Sequence, residues 1–118
     1  MEKQLYHYRA IVSSVYDGDT CTVDIDLGLG TWLKGEKLRL YRINAPELKK
    51  EEREAGLKSR DFLRGIIDGK EIIIQTVKDR KGKYGRYLAE ILIADENGDL
   101  MNVNDLLVEK GFAVYKDY

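Results

Sequence analysis

Two alternating runs joined by an acidic turn constrain this chain more than any other feature of its sequence. Residues 6–16 (YHYRAIVSSVY) are rich in β-branched and aromatic side chains and stop at Asp17-Gly18, a dipeptide suited to a turn. Residues 20–27 (TCTVDIDL) then set Cys21, Val23, Ile25 and Leu27 on one face and Thr22, Asp24 and Asp26 on the other. Side chains change sides at every residue of a strand, so this pattern makes a strand with one apolar face. The short DGD link makes the two runs a hairpin.

The segments that follow read as a small barrel. Residues 28–36 (GLGTWLKGE) are a glycine-rich connection, with Trp32 and Leu33 covering the barrel wall or its mouth. In residues 38–47 (LRLYRINAPE) Leu38 and Leu40 face one way and Arg39 and Tyr41 the other, and Pro46 marks where pairing must stop. The period changes over residues 51–67: Ala55, Lys58/Ser59, Phe62, Leu63, Ile66 and Ile67 recur at three- and four-residue steps, which predicts an amphipathic helix with acids at its start. Two further strands, KEIIIQTV and YLAEILIA, flank a basic loop. DENGD is a turn, and MNVNDLLVEKG predicts a short helix capped by Asn102 and stopped at Gly111. Three strands, a helix, two strands and a short helix form the order of an α+β, mainly β fold: a five-stranded OB-fold barrel with a capping helix and a short C-terminal helix.

At 118 residues the chain suits one domain, 1–118. With 43% hydrophobic and 35% charged residues, and no run of the apolar length that a membrane span or a secretory leader needs, the expectation is a cytoplasmic monomer with no membrane contact. One cysteine and one histidine exclude an internal disulfide framework and a zinc site of the usual kind, so any metal must be held by oxygen. Cys21, on the apolar face of its strand, is expected to be an inert buried thiol, and His7 an edge residue. The 20 basic and 21 acidic residues nearly cancel, but VKDRKGKYGRY concentrates Lys78, Arg80, Lys81, Lys83 and Arg86 against Asp79 alone.

Three polar clusters interrupt the pattern of core and surface, each at a strand end: Asp17 and Asp19 in YDGDT, Arg39, Asn44 and Glu47 in RLYRINAPE, and Lys83, Tyr84 and Arg86 in KYGRY. Singly, each has a structural explanation, since aspartate beside glycine makes turns and arginine after a strand is solvated. Together they have the parts of a phosphodiesterase. Oxygen donors at positions 19 and 44 suit a hard divalent cation such as Ca2+. Arg39 and Arg86 supply forked donors for a phosphate, and Glu47 can orient or deprotonate a water.

In this order and spacing the clusters resemble the staphylococcal nuclease (thermonuclease) family, through DGDT at 17–20, RLYRINAPE at 39–47 within its longer strand, and KYGR at 83–86, over about residues 8–111. The resemblance implies a Ca2+-dependent endonuclease on an OB barrel that cleaves DNA and RNA to 3′-phosphate ends. By the same resemblance Asp19 is a metal ligand with Asp17 behind it, and Ala45 offers a backbone carbonyl to the metal. Arg39 and Arg86 bind phosphate, Glu47 is the general base, and Lys83 and Tyr84 touch substrate phosphates. The chain departs from the pattern at Asn44, where the family has a second metal aspartate, and at its end, where GFAVYKDY replaces a further helix. Asn44 keeps an oxygen but gives up a charge, which predicts weaker Ca2+ binding. Tyr115 is a candidate wall for base stacking, with packing at the barrel edge as its other use. The competing reading is an OB module that binds single-stranded nucleic acid through its basic loop without cleaving it. A protein-interaction barrel is a third.

Overall fold

Alternation in the first hairpin decides which side chains are dry. In the computed structural model, which describes residues 6–81 and 85–116 (78–81 by backbone alone), Ala10, Val12 and Val15 of β1 (His7–Asp17) are buried. So are Cys21, Val23 and Ile25 of β2 (Thr20–Gly28). Strand β3 (Thr31–Leu40) pairs with β2 and delivers Leu38 and Leu40 to the same interior, leaving Arg39 outside between them. The nine residues expected as a connection are therefore mostly strand. Only Gly28, Leu29 and Gly30 turn the chain, with φ of 85°, 55° and 78°, a left-handed run that the flanking glycines adopt without penalty. Residues 31–35 are all exposed, so no alternation of buried and open positions marks this part of the strand.

Closure comes from partners far apart in sequence. β1 also pairs antiparallel with β5 (Glu71–Lys81), β5 pairs with β6 (Tyr87–Ala94), and β6 returns alongside β3 in parallel, Leu38 opposite Tyr87 and Leu40 opposite Ala89. The ring β1-β2-β3-β6-β5 is a closed five-stranded barrel, the OB architecture expected. Two-residue strands β4 (Ile43–Asn44) and β8 (Val114–Tyr115) form a separate ribbon, and β7 (Leu100–Asn102) extends β6.

Helix α1 (Arg53–Ile67), entered through a 3₁₀ turn at Lys50–Glu52, caps the barrel with Gly56, Ser59, Leu63 and Ile67. Leu63 and Ile67 are fully buried, each contributing about 1.5–3 kcal/mol of apolar burial. Ser59, Leu63 and Ile67 lie on the buried face as expected, but Ala55 is exposed and the face begins at Gly56, where the 46–47 backbone comes too close for a side chain. Helix α2 (Val103–Glu109) starts where Asn102 caps it, the Asp105 N–H donating to the Asn102 side chain at 3.0 Å, and the chain turns away at Gly111 (φ 83°).

Candidate active site

Two glycines bring the first two clusters together. A β-carbon on Gly18 would lie 2.8 Å from the Ala45 β-carbon and 2.7 Å from that of Ser59, so only glycine lets the DGDT turn nest between the 43–47 segment and α1. A β-carbon on Gly56 would press on the Glu47 carbonyl, 2.8 Å from its carbon, so α1 fixes the backbone at Glu47 from the other side. On sequence alone Gly18 had a turn role only and Gly56 none. The signal at Gly56 was available, because glycine inside a helix costs about 1 kcal/mol relative to alanine and is kept where something approaches closely.

Asp19 is the centre of the resulting cluster. Its backbone carbonyl accepts from the Leu40 N–H at 2.8 Å, and its Oδ2 accepts from the Ala45 N–H at 2.7 Å, tying the first hairpin to both ends of the 39–47 segment. Asp17 Oδ1 accepts from the Asp19 N–H at 3.0 Å and shapes the turn. Thr20 Oγ1 donates to Asp19 Oδ1 at 3.3 Å. The Arg39 guanidinium lies across the cluster: Nη1 donates to the carbonyls of Leu40 (2.7 Å) and Ile43 (3.1 Å), while Nη2 sits 3.2 Å from both Asp19 Oδ2 and Asn44 Oδ1. The Arg39 and Asp19 side chains keep only 11% and 9% of their surface. The two carbonyls fix the guanidinium in place, and its charge is paired with the Asp19 carboxylate.

Burial pushes the Asp19 carboxyl up to about 6, against the pull of the Ala45 N–H and Arg39. Desolvation outweighs both partners, so a further cation beside the carboxylate would favour its charged form. The Asp19 carboxylate and the Asn44 amide are oxygen donors of the kind a hard cation takes, but in this structure both face Arg39 Nη2 at 3.2 Å, and Ala45 joins them through its N–H. They carry one formal negative charge where a second acid would have doubled it. Among the described residues no group of three or more His, Cys, Asp or Glu is arranged around a metal position.

The other expected residues are placed less tightly. The Glu47 carboxylate is 62% exposed and pairs with Lys49 at 3.5 Å. Arg86, half-buried, stands just before β6, which by the Leu38–Tyr87 register puts it beside Lys37 on the neighbouring strand. With Asp17, Thr20 and Leu48 it lines a groove of about 760 Å³ that borders the cluster. Lys83 and Tyr84 lie outside the described residues. The Tyr115 hydroxyl donates to Asp105 at 2.9 Å and its ring faces Arg42, so it serves the barrel edge while leaving more than half its surface open. Cys21 is fully buried with its thiol pushed up to about 12 by desolvation, as inert as expected.

Two supports behind the site were not anticipated. Arg42, at φ 67°, binds Glu90 through Nε and Nη2 (2.5 and 2.7 Å) and Asp105 (3.0 Å), pinning the turn before Asn44 to β6 and α2. Asn104, fully buried, accepts from the Ile91 N–H and donates to the carbonyls of Tyr41 and Ala89. Polar residues next to strands and in helix starts read as surface, and only the tertiary fold shows these two turned inward.

A family model described as "Staphylococcal nuclease homologue" matches residues 37–118, which hold Arg39, Asn44, Ala45, Glu47 and Arg86; Asp17 and Asp19 precede the match. The chain is also 32% identical over 128 aligned residues to "Uncharacterized protein MJ1439" of Methanocaldococcus jannaschii. That alignment covers 91% of this chain and 58% of the relative, so the chain spans little more than half the relative's length.

Proposed function

We propose that this chain, which belongs to the staphylococcal nuclease homologue family, is a metal-dependent phosphodiesterase that cleaves DNA and RNA with little sequence preference and leaves 3′-phosphate ends. The observation that carries the reading is the Arg39 guanidinium, anchored on two carbonyls and spanning Asp19 and Asn44 at 3.2 Å. A guanidinium held this rigidly beside oxygen donors at a strand end has the geometry to grip a phosphate next to a cation.

In this reading Asp19, Asn44 and the Ala45 carbonyl would hold Ca2+, with Asp17 setting the turn, and the ion when bound would supply charge stabilisation at a phosphoryl oxygen. Arg39 and Arg86 bind the remaining phosphoryl oxygens and take up the charge that grows as the phosphorus becomes five-coordinate. Glu47, exposed on a backbone locked by Gly56, orients a water and accepts its proton. Lys83 and Tyr84 complete the phosphate contacts.

Glu47→Gln tests the assignment: cleavage should fall by several powers of ten while a nucleotide bisphosphate still binds, and parental activity in the variant would remove Glu47 from the mechanism. A second reading is favoured by Asn44, whose neutral oxygen is engaged by Arg39 in place of a second acid. On that reading the barrel binds single-stranded nucleic acid without cutting it. Substrate left intact in Ca2+ but shifted in mobility would select it.

A further inference from the structure

The groove beside the site is built asymmetrically for a chain of net charge −1. Among the described residues its walls bring together Lys37 from β3, Arg60 and Arg64 from α1 and Arg86 before β6, against Asp17 as the acid. Four cations from three separate elements converge on one concavity of about 760 Å³. Arg60 and Arg64 stand one turn apart on α1, about 6 Å along the helix, of the order of the step between successive phosphates. The Arg64 guanidinium donates to the Val15 carbonyl at 3.1 Å, a neutral partner that fixes its position and leaves its charge; Arg60 is ion-paired with the exposed Asp61 at 2.9 Å, a surface pair weak enough to exchange for a phosphate. Tyr16 adds a ring that is 67% exposed on the rim, just before the DGDT turn. Basic side chains tracking a path with an exposed aromatic beside it suit a strand whose bases are unpaired and able to stack.

We propose that this groove, between the end of the first hairpin and α1, binds the phosphates of single-stranded nucleic acid on one side of the bond being cleaved, with Lys37, Arg60 and Arg64 as phosphate contacts and Tyr16 as a stacking platform. Asp17, Thr20 and Arg86 belong to both groove and site, which makes the two continuous. The inference rests on the phosphodiesterase reading above and extends it from a single phosphate to a strand several nucleotides long. An enzyme so built gains affinity with substrate length and has little preference for base.

Binding of a fluorescein-labelled dodecamer of deoxythymidylate, followed by anisotropy in chelator across a salt titration, tests it on the full chain. Lys37→Gln/Arg64→Gln should bind about tenfold more weakly, and its slope of log K against log salt should be shallower by roughly 1.4, since each phosphate contact on a single strand contributes about 0.7. Tyr16→Ser, at an exposed position where folding is not at stake, should bind about tenfold more weakly with the salt slope unchanged. Parental affinity and slope in both variants would overturn the groove, as would a duplex competing as well as the single strand. Cleavage of a dinucleotide, too short to lie along the groove, tests the site by itself. A parent that cuts it while the variants keep dodecamer affinity would refute the groove and spare the site.

Discussion

Gly56→Ala isolates the packing that positions Glu47. In an ordinary helix interior the change gains about 0.5–1 kcal/mol, because alanine loses less backbone entropy than glycine. Here the new methyl would lie against the Glu47 carbonyl, 2.8 Å from its carbon and 3.0 Å from the Pro46 oxygen. Tolerable contact begins near 3.4 Å, so helix or loop must give by at least half an ångström. Both are backbone atoms in a segment tied at Ala45 to Asp19, so they cannot simply rotate away. Overpacking of this sort costs about 1–3 kcal/mol, which outweighs the propensity gain and leaves the variant about 1–2 kcal/mol less stable. A misplacement approaching 1 Å at a reacting group costs on the order of a hundredfold in rate, so kcat should fall far more than stability while KM changes little. Urea denaturation and steady-state cleavage read the two effects. A variant stabilised by its helix propensity, with parental kcat, would refute the idea that α1 sets the position of Glu47.

Asn44→Asp should tighten Ca2+ binding about ten- to a hundredfold by calorimetry, as one restored carboxylate charge contributes on the order of 1–3 kcal/mol; an unchanged constant would place the ion elsewhere. Asp19 should make stability fall with pH. Burial raises its folded pKa from the ordinary 3.8 to about 6, so the native state holds the proton longer than the unfolded chain does. The stability that proton contributes is lost as pH rises from about 4 through 6, by up to about 3 kcal/mol relative to Asp19→Asn, and Ca2+ should narrow the difference. Denaturant melts of the two proteins at a series of pH values measure it, and parallel profiles would contradict the burial. Asn104→Ala should cost about 2–4 kcal/mol by the same melts, since it strands the Ile91 N–H and two carbonyls in the core.

Where local pattern suffices, the sequence was legible. Alternation identified Cys21, Val23, Ile25, Leu38 and Leu40 as buried, though Leu27, placed on the same face, is exposed at the end of its strand, and Asn102 and Gly111 marked the ends of α2 as found. The elements whose reasons are distant were not. The start of β3 is exposed throughout, and β4 and β8 are two residues each, held by pairing to each other. The burial of Gly56 in place of Ala55 follows from the 46–47 backbone, and the bonding of Arg42 and the burial of Asn104 from partners up to 63 residues away. The site divides the same way. Asp19, Arg39 and Asn44, named from their motifs, meet within hydrogen-bond distance, and Ala45, named by resemblance for its carbonyl, joins them through its N–H; the role of Gly18 and Gly56 in bringing them together needed the packed helix. Glu47 is exposed and paired with Lys49, and Arg86 lines the groove beside the cluster, so neither joins it as the four others do.

The most direct measurement is a gel of single-stranded DNA and RNA incubated with the purified chain in Ca2+ and again with chelator. The account predicts fragments ending in 3′-phosphate in the first case and intact strands in the second. Strands uncut in Ca2+, or cut equally with the ion removed, would contradict it.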